Sequence, residues 1–211
     1  MVQTELSNSS IMQAAIDKFR SNIGRVKALG GLHQALTQLT TPALDSSDLL
    51  RAQIVMAVSA LDHYIHEITR LGMLEVYDGS RTSTPSFDKF QVSIDSVRAH
   101  AAGGGGNAWF ESEIREKHGY LSFQHPDKIA EAIRLFSTIQ LWTSVATHLN
   151  MNPGDVKARQ RVIVDRRNKI AHEADSDPSY PGARWPISEK DVNSAIHFIE
   201  TLCDAIHRSV T

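Results

Sequence analysis

The stretch VDRRNKIAHEAD, residues 164–175, holds three side chains suited to phosphate chemistry. Arg167 is a permanent planar cation that can bind a phosphate through two N–H groups. Asn168 is a neutral positioning group, and His172 can exchange a proton near neutral pH. The types of these residues therefore indicate a site that binds a phosphate and moves protons beside it.

The spacing of these residues decides whether they can act together on one helix. At about 100° per residue, Asn168 and His172 are separated by about 40° and share a face. Arg167 lies about 140° from His172 by the same count, so its long side chain reaches that point only if the helix turns or frays there. Arg166 and Lys169 add positive charge that could follow an RNA backbone. A solvated helix end is the alternative interpretation of the whole set.

RNA cleavage requires this combination of groups. The 2′-hydroxyl must lose a proton, the leaving 5′-oxygen must gain one, and the crowded phosphate needs positive charge. Because the RNA supplies its own nucleophile, we expect neither a protein nucleophile nor a metal or other cofactor. One His172 per chain is too few for a separate acid and base, so the chemistry predicts a two-fold homodimer in which two copies of this helix face each other.

Helical periodicity runs through most of the chain, and we find no run with the alternating pattern of a strand. Gly30-Gly31 should bend or break the first segment, and Ser188 with Asp191 resembles a capping box. The predicted helices are 10–39 (one helix or two), 48–76, 87–101, 108–117, 127–136, 141–149, 155–174 and 188–209. The sequence predicts an all-α fold, an antiparallel helical bundle, with an N-terminal helical segment at 1–45 and the bundle at 46–211, together one compact domain.

Composition narrows the class of protein. The chain has 211 residues, 41% hydrophobic and 22% charged, with a net charge of -2, as is ordinary for a soluble globular protein. Binding of nucleic acid would therefore need a local basic patch. The single Cys203 cannot form an internal disulfide, which fits a reducing cytoplasm, the location that we expect. We see no secretion signal at the start and no apolar run of the ~20 residues that span a bilayer.

The segment RNKIAH, late in a predicted all-α bundle, resembles the HEPN superfamily, whose signature is Arg, four to six residues and then His, with a polar residue after Arg. The segments LLRAQIVMAVSALDHYIHEITR (49–70) and WFESEIREKHGYLSFQHPDKI (109–129) are similar to its RiboL-PSP-HEPN branch. The resemblance runs from about Leu49 to the C-terminus. It implies a HEPN-like helical bundle.

The resemblance also implies a function. Members of the superfamily cleave RNA without a metal at a dimer interface. Because the RNA's own 2′-oxygen attacks, we expect 2′,3′-cyclic phosphate and 5′-hydroxyl ends. Many of them act as toxins or in antiphage defence, with an antitoxin or another defence-system protein as partner. Many other members are inactive scaffolds. The alternative to a ribonuclease is therefore a catalytically silent module that binds a partner protein or a nucleotide.

The resemblance assigns two further residues on the long predicted helix. Arg51 and Asp62 are eleven residues apart, about three turns, so they point the same way. In the family an acidic residue of this helix approaches the motif, so Asp62 would orient Arg167 or His172, and Arg51 would join the RNA-binding set. A salt bridge at the edge of the core is the alternative for Asp62.

Related toxins carry a Tyr two residues after the motif His. Ala174 occupies that position in this chain, so control by adenylylation of a tyrosine there is not implied.

Overall fold

The protein is described by a computed structural model over residues 8–41, 44–103 and 106–211, with side chains from residue 11 onward. Within these ranges eight α-helices and one 3-10 helix form, and the only β pairing is an isolated bridge between Ser176 and Arg184. The helices are α1 (Asn8–Leu39), α2 (Ser47–Tyr77), the 3-10 helix (Phe87–Lys89), α3 (Ile94–Ala101), α4 (Ala108–His118), α5 (Pro126–Ile133), α6 (Leu141–Leu149), α7 (Pro153–His172) and α8 (Glu189–Val210). The all-α prediction is confirmed.

Helix α1 is continuous, so the break predicted at Gly30-Gly31 is wrong. Gly30 instead permits a close approach to α2, because a Cβ at this position would lie 2.8 Å from Nε2 of Gln53. The same Nε2 donates a hydrogen bond of 3.0 Å to the carbonyl oxygen of Val26, which joins the second half of α1 to the beginning of α2. Here the glycine allows two helices to pack closely and does not end a helix.

The pairs of residues in contact give the direction of each long helix. His33 contacts Ser46 beside the α1–α2 connection, and the rings of Phe19 and Tyr64 meet farther along, with centroids 5.5 Å apart. Helices α1 and α2 are therefore antiparallel. The apolar stripe that predicted residues 48–76 is buried along α2, which packs against α1, α4, α5, α7 and α8. This central position makes α2 the element that the other helices share.

Helix α8 lies against α1 in the opposite direction. Arg20 bonds Asp204 at 2.8 Å and Lys27 bonds Glu200 at 2.6 Å, so later residues of α1 meet earlier residues of α8. It follows that α2 and α8, both antiparallel to α1, run the same way. The N-terminal cap predicted for α8 is present, because Oγ of Ser188 accepts the N–H of Asp191 at 3.2 Å.

The predicted helix at 87–101 is interrupted. Residues 87–89 form the 3-10 helix, an extended segment follows, and α3 begins after Ser93. Both the N–H and the hydroxyl of Ser93 bond the buried carboxylate of Glu113 on α4, and Phe90 packs on Phe110. These tertiary contacts outweigh the local helical pattern. The glycine-rich stretch 101–107, which the sequence marks as flexible, includes Gly104 and Gly105, and these two lie outside the described residues.

Helix α7 is anchored by buried side chains between Val156 and Val164. Val156, Gln160, Ile163 and Val164 are buried against the core, and Nε2 of Gln160 donates to the carbonyl oxygen of Gln124 at 3.0 Å. Its last two turns carry most of the polar motif and are only partly covered. None of the helices in the described ranges has the length and apolar character to cross a membrane.

Candidate active site

The last two turns of α7 carry the three motif residues and bring two of them, Arg167 and Asn168, into contact. Nη1 of Arg167 donates to Oδ1 of Asn168 at 3.0 Å, and both side chains are partly buried. Nε of Arg167 is buried without a hydrogen-bond partner, and no carboxylate of the described residues pairs with this guanidinium. His172 is the final residue of the helix and is exposed. The structure thus offers an unpaired cation and an accessible imidazole within two turns.

Three residues after His172 lies a buried carboxylate that the sequence analysis did not single out. Asp175 is 1% exposed, and its Oδ2 accepts two charged hydrogen bonds, from Nε of Arg51 at 2.7 Å and from Nη2 of Arg166 at 2.8 Å. Arg51 comes from the first turn of α2 and Arg166 from α7. One oxygen therefore ties the start of α2 to the end of α7.

The backbone after His172 turns sharply to place this carboxylate. Ala174 and Asp175 both have left-handed conformations, with φ of 52° and 56°. The N–H of Asp175 donates to the carbonyl oxygen of Lys169 at 2.9 Å, and its own carbonyl oxygen accepts the N–H of Trp185 at 2.9 Å. Helix α7 therefore ends at His172, two residues earlier than predicted, and the chain folds back under it.

Carbonyl oxygens of the following loop complete the cluster. The carbonyl oxygen of Trp185 accepts Nη2 of Arg51 at 2.9 Å and Nη2 of Arg166 at 3.3 Å, and that of Pro186 accepts Nη2 of Arg166 at 3.1 Å. We call the group formed by Arg51, Arg166, Asp175 and Trp185 the Asp175 clamp. Burial lowers the pKa of the Arg166 guanidinium, whereas the charge of Asp175 raises it and that of Arg51 lowers it.

Three residues expected to contact RNA have partners inside the chain. Arg51 is 7% exposed, and its remaining nitrogen, Nη1, donates to Oγ of Ser47 at 2.7 Å. Arg166 is held by the clamp. Nζ of Lys169 lies 4.9 Å from the centroid of the Trp185 ring, a cation–π contact that leaves the side chain partly exposed. Of these three cations, Lys169 is the one without a carboxylate partner in the part of the chain that the structure describes.

Asp62 was expected to orient Arg167 or His172, and the structure gives its carboxylate other partners. Oδ1 accepts the N–H of Phe123 at 2.6 Å, and Oδ2 accepts Nε2 of Gln124 at 3.2 Å. Neither motif residue is among its hydrogen-bond partners in the described chain. Asp62 therefore holds the segment before α5 on α2, and the bond from Gln160 fixes the same segment to α7.

A groove of about 420 Å³ opens beside the clamp, between α2 and the end of α7. Its apolar lining comes from Ala52, Val55, Met56 and Ile170, and Met56 is 40% exposed. Charged side chains of Asp48, Arg51, Asp175 and Arg184 also line it. Of the segment RNKIAH, Ile170 lines this groove, whereas Arg167, Asn168 and His172 do not.

A helical bundle with Arg-x4-His at the end of a packed helix is the architecture of a HEPN-type protein. The family model described as RiboL-PSP-HEPN matches residues 20–211, so the chain belongs to the RiboL-PSP-HEPN family. Comparison with curated proteins and with solved structures found no match.

Proposed function

We propose that this chain is a metal-independent endoribonuclease of HEPN type that acts as a homodimer. The observation that carries the proposal is the contrast between neighbouring arginines on α7. Arg166 is paired with a buried carboxylate, whereas Arg167 has no carboxylate partner in the described chain and lies within two turns of the exposed His172. A cation without a carboxylate partner and an exposed imidazole on the same helix end are the groups that RNA cleavage needs.

The residues take distinct roles in this proposal. Arg167 binds the scissile phosphate and stabilises the charge that develops on it, while Asn168 holds the guanidinium through its side-chain oxygen. His172 moves the proton of the 2′-hydroxyl or of the leaving 5′-oxygen. Lys169 contacts the RNA backbone at the edge of the site. Arg51 lies behind the site, because its three nitrogens are all hydrogen-bonded within the chain.

The partner chain supplies the second imidazole. A single His172 would have to act as base and acid in one step, and two copies of α7 across a two-fold axis remove that difficulty. The groove lined by Val55, Met56 and Ile170 supports this assembly, because it places exposed apolar surface beside the motif. Light scattering at micromolar concentration should therefore report a dimer, and a monomer in both the presence and the absence of RNA would contradict the mechanism.

Substitution of His172 tests the chemistry. His172→Ala should lower the cleavage rate more than ~100-fold and leave RNA affinity close to wild type, whereas Arg167→Ala should lose both. His148→Ala is the matched control, because His148 is also an exposed histidine in the last turn of a helix. The products should carry 2′,3′-cyclic phosphate and 5′-hydroxyl ends. A chelator should not slow the reaction, and a 2′-deoxy nucleotide at the cut site should stop it.

Other outcomes point to the alternative function. If the wild type binds RNA or a protein but does not cut RNA, the chain is a catalytically silent binding module. If His172→Ala cuts as fast as wild type, the activity comes from another site or from a contaminant. We also propose, from family membership, a toxin or antiphage role with an antitoxin or another defence protein as partner. Growth arrest on expression should then depend on His172.

A further inference from the structure

We infer that Asp175 is a positioning residue of this site, one that fixes the end of α7 so that Arg167 and His172 keep a single arrangement. The inference rests on the proposed function. Asp175 has no role in the chemistry of phosphate cleavage itself, because it is buried beneath the motif and both of its charged partners belong to the chain.

The first argument is the position of His172 at a helix terminus. Terminal turns of helices fray because their last carbonyl groups lack partners within the helix. Here the carbonyl oxygen of Lys169 accepts two N–H groups, from Glu173 at 3.0 Å and from Asp175 at 2.9 Å. Two consecutive non-glycine residues in left-handed conformation are unfavourable, so the surrounding structure must hold this turn. The ion pairs of Asp175 with Arg51 and Arg166 are the contacts that hold it.

The second argument is the distribution of charge. Three arginine side chains, two of them adjacent on α7, would otherwise present a diffuse positive surface to a phosphate. Asp175 binds Arg51 and Arg166 and leaves Arg167 without a carboxylate partner in the described chain. The clamp therefore selects which cation can bind the substrate. Loss of the carboxylate charge would remove the ion pairs with Arg51 and Arg166 and would loosen the helix turn that carries His172.

The two effects predict a particular kinetic signature for Asp175→Asn. This substitution keeps the shape of the side chain and removes its charge. The phosphate-binding Arg167 is still present, so KM should stay within about 3-fold of wild type, whereas kcat should fall at least ~10-fold because His172 is no longer held. A merely structural anchor would change the stability of the chain without this separation of kcat from KM at a temperature where the protein is folded.

Asp177→Asn is the matched control. Asp177 lies two residues away in the same loop and is 8% exposed, and its Oδ1 accepts the N–H of Ser179 at 2.9 Å. No arginine of the described chain pairs with it. Both variants of the full chain would be assayed on single-stranded RNA at a temperature where circular dichroism shows the native helix content. The control should keep kcat within about 2-fold of wild type.

A double variant tests whether Asp175 acts through Arg166. Asp175→Asn combined with Arg166→Gln should lose less in kcat than the product of the two single losses, because both remove the same interaction. Hydrogen exchange of the amides at 170–175 should also speed up in Asp175→Asn and not in Asp177→Asn. If Asp175→Asn does not fold, Arg166→Lys provides the test. A lysine keeps the charge but cannot reach the carbonyl oxygens of both Trp185 and Pro186, so this variant should lower kcat and leave KM unchanged.

The outcomes separate this inference from the proposed function. A wild type that cuts RNA together with a folded Asp175→Asn of wild-type kcat would overturn the inference and leave the ribonuclease intact. An equal kcat loss in Asp177→Asn would also overturn it, since the effect would then belong to any buried acid of the loop. A wild type that does not cut RNA would overturn both.

Discussion

Arg166 and Arg167 are neighbours of the same residue type, and the structure predicts opposite consequences for replacing them. Arg166→Gln removes a charged hydrogen bond to Asp175 and two bonds to loop carbonyls. Arg167→Gln removes one bond to Asn168 and no ion pair of the described chain. The first change should lower stability as well as kcat, and the second should lower activity with little effect on stability.

The expected size of the stability loss follows from the geometry of the clamp. A hydrogen bond to a charged group contributes about 1.5–3 kcal/mol, and removing one partner of a buried ion pair costs about 3–5 kcal/mol when the remaining charge is left alone. Asp175 is not left alone, because Nε of Arg51 stays 2.7 Å from the same Oδ2. We therefore expect Arg166→Gln to lower the free energy of unfolding by about 2 kcal/mol, which lowers Tm by roughly 4–8 °C for a chain of this length.

Arg167→Gln should change the free energy of unfolding by less than about 0.5 kcal/mol, as is usual for a side chain without an ion pair. It should lower the cleavage rate by more than ~100-fold, because the charge that stabilises the transition state is gone. Urea unfolding at pH near 7 and single-turnover cleavage of RNA measure the two effects on the same preparations. A greater loss of stability in Arg167→Gln than in Arg166→Gln would refute the division of roles between these residues.

Two further predictions concern stability away from the site. His118 is buried and its pKa is lowered from 6.5 to about 4 by burial, with the charge of His66 acting in the same direction. The stability that comes from burying the neutral His118 is fully present above pH about 6.5 and is lost as the pH falls toward 4, because the unfolded chain then binds the proton more readily. Between pH about 7 and about 5, the free energy of unfolding measured with urea should therefore fall less in His118→Phe than in wild type. Gly72→Ala would drive a Cβ into the ring of the buried Phe136 and should cost about 1–3 kcal/mol in the same assay. Gly31→Ala, with nothing within 4 Å of the new Cβ, should instead add about 0.5–1 kcal/mol, and equal effects of the two glycine substitutions would contradict the packing of α2.

The bounds of a helix could be predicted from the sequence wherever a single apolar stripe is buried against the core. The predicted range 48–76 and the observed Ser47–Tyr77 agree because the buried side chains of α2 recur at intervals of three and four. The prediction fails at 87–101, where Ser93 and Phe90 make contacts with α4 that local spacing does not contain. Likewise, α7 ends before Ala174 without the glycine that usually marks a left-handed helix end.

The candidate site was predictable only where its residues are close together in the sequence. Asn168 and His172 are four residues apart, so helical geometry alone places them on one face, whereas Arg167 lies about 140° from His172 on the same helix and bonds Asn168. The role of Asp175 depends on Arg51, 124 residues earlier in the chain, and no local pattern signals that pair. Arg51 and Asp62 lie eleven residues apart on the continuous helix α2, so the sequence could place them on one face. Their partners could not be predicted, because the contacts of Arg51 with Asp175 and of Asp62 with Phe123 depend on tertiary packing.

The long sequence separation between Arg51 and Asp175 also determines when the site forms during synthesis. Chains are made from the N-terminus, and contacts between distant segments form late because closing a long loop is entropically costly. Arg51 is synthesised early, yet its partners Asp175 and Trp185 belong to the last fifth of the 211 residues. A nascent chain that already carries RNKIAH therefore still lacks the contacts that hold it. If the chain is the proposed ribonuclease, we expect a ribosome-bound fragment ending before Trp185 to be inert toward nearby RNA, so that cleavage begins only after Trp185 has been added.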